Sequence, residues 1–375
     1  MAKKKGNNGK KSGAGNIIIA LEVLALLVVA IVLVITLVVT NKTKHVTTGD
    51  GDAITVGPLT TPGVDPNVDN PDREKIDKDY TTLAFFGVDA RNGTLNKGTR
   101  TDTIIICSID NETGDTRLCS VYRDTYLNTD PDSSNGSYQK ANAAYAYGGP
   151  ERAMAMLNAN LDLYISKFVT VGFDGVMNTV DAVGGVDINI QEDEIKFLND
   201  YQKSMYSTET KTVITDDYIP VTQTGLQTLS GYQALAYCRI RYTAGNDFKR
   251  TERQRDVVSQ IVEKAKKLDP AKVAKICTDV SPYIATNMDL TEDIIPLASE
   301  VTKYTIVGSA GFPFADNVTT GLIGAKGDCV IPLDLQTNVV KLHEFLYPDM
   351  EYTPSDRVVG ISTRIQDDTR PYIGQ

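Results

Sequence analysis

The chain has 375 residues, 41% hydrophobic and 23% charged, with a formal net charge of −10. That acidic balance excludes a general affinity for nucleic acid, and the length allows one large domain or two small ones beyond the N-terminal region. The five cysteines, Cys107, Cys119, Cys238, Cys277 and Cys329, never occur as CxxC, which argues against a zinc knuckle; they read as small buried apolar residues, with a cross-strand Cys107–Cys119 bridge as the alternative.

Residues 1–16 are rich in lysine, glycine and asparagine and read as a disordered stub. The run Ile17–Val39 is strongly apolar and carries one charge, Glu22. At about 1.5 Å per residue a helix over it spans roughly 35 Å, enough for a hydrocarbon core of about 30 Å. Lys3, Lys4, Lys5, Lys10 and Lys11 precede it. This bias predicts a single transmembrane signal anchor with a cytoplasmic N-terminus and the rest of the chain outside. A cleaved signal peptide fits less well, because its apolar core is usually about 7–15 residues and Thr40-Asn41-Lys42 offers no small-residue cleavage site. Residues 40–79, rich in Asp, Thr, Pro and Gly, read as a polar extracellular spacer.

Folded sequence is predicted from Tyr80. Thr82–Val88 reads as a buried strand. Asp102–Ile109 and Arg117–Tyr122 are β-branched runs joined by the turn-forming string Asp110–Asp115, a predicted hairpin. Lys140–Tyr147 is predicted helical, broken by Gly148-Gly149, with Pro150 opening a second helix to about Leu161. A strand over Lys167–Val171, a helix over Phe173–Val183 and a strand over Val186–Ile190 follow. Gln191–Asp217 reads as a polar surface insertion, and Leu226–Arg239 as a helix or a helix running into a strand. Thr251–Leu268 is the clearest helix. Further on, Thr305–Val307 and Cys329–Leu333 read as strands and Leu335–Leu346 as a helix. The predicted class is mixed α/β, a central sheet covered by helices. The domain runs over 80–268, with an extension at 269–346 packed on it and a polar tail at 347–375.

Several catalytic plans are poorly supported. The two histidines, His45 and His343, fall in the spacer and in a late helix. Gly93–Gly98 begins like a phosphate-binding P-loop, but Thr99 stands where the lysine belongs. No GxSxG elbow occurs. What remains is arginine and aspartate at strand ends: Asp89 and Arg91, Arg100 and Asp102, Arg123 and Asp124. A second cluster holds Arg239, Arg241, Lys249, Arg250, Arg253 and Arg255 against Asp247, Glu252 and Asp256. A local cationic site in an acidic chain points to an anionic ligand. With Thr251 onward helical, Arg250 and Gln254 lie two turns and one turn before Val258, and Arg253 one turn before Val257. The helix N-terminus then adds N–H groups and partial positive charge. Arginine forks suit phosphate oxygens, and Asp89 and Asp102 suit Mg²⁺ beside them. Surface salt bridges among these opposite charges are the competing reading.

In order along the chain stand Gly87-Val-Asp89-Ala-Arg91, Thr99-Arg-Thr-Asp102-Thr, Ser120-Val-Tyr-Arg123-Asp124, Lys140-Ala-Asn142-Ala-Ala-Tyr145 with Gly148-Gly149, Val180–Asp187, Gly225–Tyr237 leading into Arg239-x-Arg241, and Asp247-Phe-x-Arg250-x-x-Arg253-Gln254. This series, over roughly Thr82–Lys267, resembles the LytR-CpsA-Psr family of envelope proteins. Tyr122 stands where the family usually has proline, and Thr99 and Thr101 replace glycine and serine; neither departure removes a charge.

The resemblance implies a phosphotransferase that moves a glycopolymer, such as a teichoic acid or a capsular polysaccharide, from a polyprenyl-pyrophosphate carrier to peptidoglycan, at the 6-hydroxyl of N-acetylmuramic acid. It implies a polyprenyl tail in a long apolar groove and Mg²⁺ (or Mn²⁺) on Asp89 and Asp102. Arg123, Arg239, Arg241 and Arg250 would clamp the pyrophosphate, with Arg91, Arg100, Lys140, Arg253 and Gln254 assisting. The base would be Asp247, Asp124 or a metal-polarised hydroxyl. The implied partners are the lipid-linked glycopolymer, peptidoglycan and membrane lipid, at the cell membrane. The alternatives are a hydrolase of the lipid pyrophosphate and a non-catalytic envelope or regulatory protein.

Overall fold

The computed structural model describes Thr48–Gly49, Ala53–Ile54 and the chain from Pro71 to Ile373, apart from 89–94, 96–97, 208–217, 242–245 and a number of positions between 266 and 302. The stub, the Ile17–Val39 segment and most of the spacer lie outside the described residues, as do Asp89 and Arg91.

The end of the predicted spacer is folded. Helix α1 (Pro71–Asp79) buries Ile76 and leads directly into β1 (Tyr80–Val88). The predicted hairpin forms from β2 (Thr101–Asp110) and β3 (Asp115–Val121), paired antiparallel. The turn closes because Asp110 Oδ1 accepts the backbone N–H groups of Glu112 and Thr113, at 2.9 and 2.7 Å. Short strands β4 (Tyr126–Asn128) and β5 (Tyr138–Lys140) precede α2 (Asn142–Leu161). That helix is kinked at Gly148-Gly149, where Gly149 has φ 66° and breaks the hydrogen-bond ladder before Pro150.

Then come β6 (Lys167–Gly172), α3 (Phe173–Ala182), β7 (Val186–Ile190) and α4 (Glu192–Ser207). The polar stretch after Gln191 is therefore helical in its first part. Glu192, Asp193 and Glu194 sit in the favourable first turn, and Leu198 is buried between partly buried Ile195 and Tyr201. The Leu226–Arg239 segment is also corrected: β8 (Gly225–Leu229) pairs antiparallel with β7, and α5 (Gly231–Cys238) begins after it. Ser230 and Gln233 form a reciprocal capping box that starts the helix there and not earlier. Helix α6 (Asn246–Ala265) begins before Thr251, so Arg250 falls in its second turn, where backbone N–H groups are already engaged within the helix. Arg250 is thus not at the helix N-terminus where the sequence placed it.

The last hundred residues supply β9 (Ile284–Thr286), β10 (Thr305–Phe312), the hairpin β11 (Val318–Leu322) and β12 (Asp328–Pro332), α7 (Leu335–Leu346) and α8 (Asp356–Thr369). The region read as a polar tail is ordered. Ser355 caps α8, and Val358, Ile361 and Ile365 recur at helical spacing and are buried. Asp162, the left-handed residue closing α2, accepts hydrogen bonds from Ser355 N–H and O–H and from Tyr352 O–H at 2.8, 2.7 and 2.5 Å, fastening this segment.

The main sheet has six strands in the order β9-β6-β1-β2-β3-β10. Strands β6, β1, β3 and β10 run in one direction; β2 and β9 run against them. Alternation divides its residues. Ala84, Phe86, Ile104, Ile106 and Cys119 join α2, α7 and α8 in one core, while Leu83, Phe85, Ile105, Cys107 and Leu118 face the other side. Fully burying one such side chain contributes on the order of 2 kcal/mol. Cys107 pairs in register with Leu118, and Cys119 with Ile106, so the two thiols point to opposite faces and both are free. That rules out the bridge between them. Helices α3–α6 and the β7–β8 ladder form a separate core around Val180, Val186, Leu198, Leu235's neighbour Ala236, Val257 and Ile261.

Candidate functional site

A cavity of about 460 Å³ lies between the second face of the main sheet and the layer of α3, α5 and α6. Its floor is apolar: Phe85, Ile105, Val169 and Val171 come from the sheet, and Val176, Leu235, Val257 and Ile261 from the helices. The other lining is charged and polar, from Arg100, Asp102, Arg123, Arg239, Arg241, Arg250 and Gln254. The topology explains the division. Strands β1, β3 and β6 all end on the same side, so the residues that follow them, Arg123 and Phe173 among them, gather with the start of β2 at one edge. Such carboxyl ends are where open α/β sheets build sites.

Asp102 organises the charged edge. Its Oδ1 accepts from Arg123 Nη1 at 2.5 Å and lies 3.8 Å from Arg241 Nη2. Arg123 Nε is 3.4 Å from Asp124, whose other oxygen is 3.2 Å from Lys140 Nζ. Asp124 and Lys140 do not line the cavity; they stand behind Arg123. Asp124 therefore faces two cations behind the cavity wall and does not point at a ligand within it. Asp247 lies in α6, and its side chain is outside the described residues.

On α6 the spacing selects one stripe. Arg250, Gln254, Val257 and Ile261 all line the cavity, four or three residues apart. Arg250 is 2% exposed. Gln254 Oε1 accepts from the Thr103 hydroxyl at 3.0 Å, tying the helix to β2. Arg253 has a different neighbourhood. It does not line the cavity, is 4% exposed, and donates from Nε to Glu194 at 2.7 Å and from Nη1 to the Ile240 carbonyl at 3.2 Å. Its Nε donor ties α6 to α4, and its Nη1 donor ties α6 to the segment after α5.

Arg239 is held differently. It caps α5, and its guanidinium stands 5.3 Å from the Phe173 ring centre and 5.5 Å from that of Tyr201. Its Nη1 is buried with no hydrogen-bond partner among the described residues. Phe173, Tyr201 and Thr103 were not among the predicted site residues. Phe173 carried a usable signal, its place directly after a strand; Tyr201, inside a polar stretch, carried none.

Other chemistries are disfavoured. Cys238 lines the cavity, but burial first and nearby Asp256 second push its thiol up to about 12, far from a thiolate nucleophile. His343 is buried away from the cavity, with Nε2 2.8 Å from the Leu161 carbonyl and its ring stacked on Tyr352 at 3.6 Å. Among the described residues no group of three or more His, Cys, Asp or Glu side chains could hold a metal. Among the described residues Asp102 is the one carboxylate lining the cavity, beside arginines suited to phosphate. One carboxylate completed by phosphate oxygens and water is a donor set that Mg²⁺ commonly uses, so the residues fit that ion in the presence of a phosphorylated ligand.

The sequence and the fold are similar to those of known proteins. The LytR_cpsA_psr family model covers residues 45–323. The chain is 26% identical over 283 residues to the polyisoprenyl-teichoic acid–peptidoglycan teichoic acid transferase TagV of Bacillus subtilis, covering 73% of this chain and 65% of that protein. The crystal structure of B. subtilis TagV superposes with a TM-score of 0.55 at 26% identity, over 74% of this chain and 99% of that one. A similar transferase, TagU of Enterococcus faecalis, is 30% identical over 219 residues, 57% of this chain and 64% of that protein. Biofilm regulatory protein A of Streptococcus mutans is 28% identical over 222 residues, 57% and 52% of the two chains. The matches span between about half and two thirds of the length of these curated relatives.

Proposed function

The chain belongs to the LytR-CpsA-Psr family, and on that premise we propose that it transfers a glycopolymer from a polyprenyl-pyrophosphate carrier to peptidoglycan. The observation that carries this reading is one cavity with two chemistries: an apolar floor for a lipid tail, and an edge of arginines for a pyrophosphate. The names of the related transferases support it.

In this mechanism the tail lies along Phe85, Ile105, Val169 and Val257. The pyrophosphate meets Arg239, Arg241, Arg250 and Arg123, the last held by Asp102. The acceptor hydroxyl, the 6-hydroxyl of N-acetylmuramic acid, attacks the sugar-side phosphorus. A new O–P bond forms, the bridging P–O bond breaks, polyprenyl phosphate leaves, and the hydroxyl proton passes to a base. No covalent enzyme intermediate is needed. The protein contributes by positioning the groups and neutralising charge as it develops on the oxygens. Mg²⁺ or Mn²⁺ held by Asp102, with Asp89, would supply further neutralisation. Thr103 keeps Gln254, and with it α6, against the sheet.

The same reading makes Ile17–Val39 a single-pass anchor, cytoplasmic at its N-terminus, with the domain on the outer face. The donor lipid and the wall acceptor would then both be within reach.

The test is transfer of a labelled sugar from a short-chain polyprenyl-pyrophosphate donor to peptidoglycan with Mg²⁺. Label in the wall, reduced about 100-fold by Arg239→Ala or Arg123→Ala, is expected. Free phosphorylated sugar without wall label would make the protein a hydrolase. Full transfer by both variants would remove the arginine clamp.

A further inference from the structure

Arg239 is the cation at the cavity edge whose described contacts are aromatic. Arg123 gives a donor to Asp102, and Arg253 gives its donors to Glu194 and the Ile240 carbonyl. Arg239 instead faces the rings of Phe173 and Tyr201, at 5.3 and 5.5 Å, and its buried Nη1 has no acceptor among the described residues. The difference matters chemically. A carboxylate partner fixes a guanidinium but neutralises it and uses its N–H groups. Aromatic faces fix it by attraction to the ring quadrupole and leave both the charge and the donors for an anion.

The second ring comes from an unexpected place. Tyr201 lies on α4, which is held to the domain by the Glu194–Arg253 pair, with both side chains about 5% exposed. Glu194 also closes the start of α4, accepting from Gln191 N–H at 2.9 Å. The helix held by these contacts carries Tyr201 into the cavity wall.

We propose that Tyr201, with Phe173, is a positioning residue that holds Arg239 ready for a pyrophosphate. It does so through cation–π contact and forms no bond to the reacting atoms. This rests on the transfer reading above and adds to it a residue outside the series of motifs.

The test measures binding of inorganic pyrophosphate to the full-length protein by calorimetry, for wild type, Tyr201→Phe, Tyr201→Leu and Arg239→Ala, and for Tyr201→Leu combined with Arg239→Ala. Tyr201→Leu should weaken binding about tenfold, Tyr201→Phe should stay within about twofold of wild type, and Tyr201→Leu should have no further effect once Arg239 is alanine. If wild type binds no pyrophosphate, the transfer reading itself falls and takes this role with it. If wild type binds and Tyr201→Leu binds as tightly, the positioning role alone is overturned. An equal loss from Tyr201→Leu with and without Arg239 would also overturn it, because the effect would then be structural.

Discussion

Asp102 Oδ1 lies 2.5 Å from Arg123 Nη1, joining the start of β2 to the second residue beyond the end of β3. Both side chains are mostly buried, at 22% and 14% exposure. The pair spans the open end of the β2–β3 hairpin and sets the direction of Arg123 toward the cavity. Asp102→Asn should therefore lower transfer by about 10–100-fold while shifting the melting temperature by no more than a few degrees. Parallel assays of transfer and thermal unfolding check it; a stability loss large enough to account for the activity loss would assign the pair a purely structural role.

Arg253 and Glu194 form a buried ion pair, and removing one partner leaves a buried charge without its counter-ion. Arg253→Ala should cost about 3–5 kcal/mol. Replacing both, as Arg253→Met with Glu194→Gln, should recover part of that. Chemical denaturation measures both. An Arg253→Ala protein as stable as wild type but unable to bind donor would return Arg253 to the ligand site.

Gly311 on β10 makes room for the Tyr122 ring. A Cβ built at Gly311 would stand 2.1 Å from the Tyr122 hydroxyl oxygen and 2.7 Å from Cζ. Gly311→Ala must displace that ring, which directly precedes Arg123, and should lower transfer several-fold at a cost of roughly 1–3 kcal/mol in stability. In a Tyr122→Ala background the same change should be nearly neutral, as a double-mutant cycle would record.

Asp187 accepts from Lys264 at 2.7 Å and from the Thr228 hydroxyl at 2.6 Å, and these bonds hold its carboxyl below the usual carboxylate range. Because the folded-state value is depressed, the contribution is complete above the unfolded value of about 4 and is lost as pH falls through the folded one. The pair is partly solvent-exposed, so the contribution is at most about 1 kcal/mol. Melting curves of wild type and Asp187→Asn should differ by a constant few degrees above about pH 5 and converge on acidification. A gap that widened toward low pH would contradict the sign.

Cys107 and Cys119 face opposite sides of the sheet, and burial pushes both thiols well above the ordinary value. Peptide mapping of air-oxidised protein without reductant should recover the two cysteines unlinked to each other. A Cys107–Cys119 cross-linked peptide would require a different register between β2 and β3.

The hairpin was legible because its turn chemistry lies in consecutive residues. The same holds for the Gly148-Gly149 break and for α7. Helices α4 and α8 were not, although their apolar residues recur at helical spacing. Both are mostly polar, and only the surfaces they meet make their narrow apolar stripes into buried faces. The Leu226–Arg239 segment misled for a related reason. Leu226 and Leu229 fit a helix as well as a strand, and pairing with β7 decides for the strand.

The chain's residues alone determined that arginines and aspartates would cluster at strand ends, and in what order. They determined the family resemblance, since its motifs are local strings. Tertiary structure decided which charges face the cavity. Arg250 and Arg253 are three residues apart on one helix, yet the first lines the site and the second is bound to Glu194. Helical spacing fixes the angle between two side chains, but not what stands opposite each. That depends on where α4, more than forty residues earlier, packs against the helix, and the same contact brings Tyr201 to Arg239.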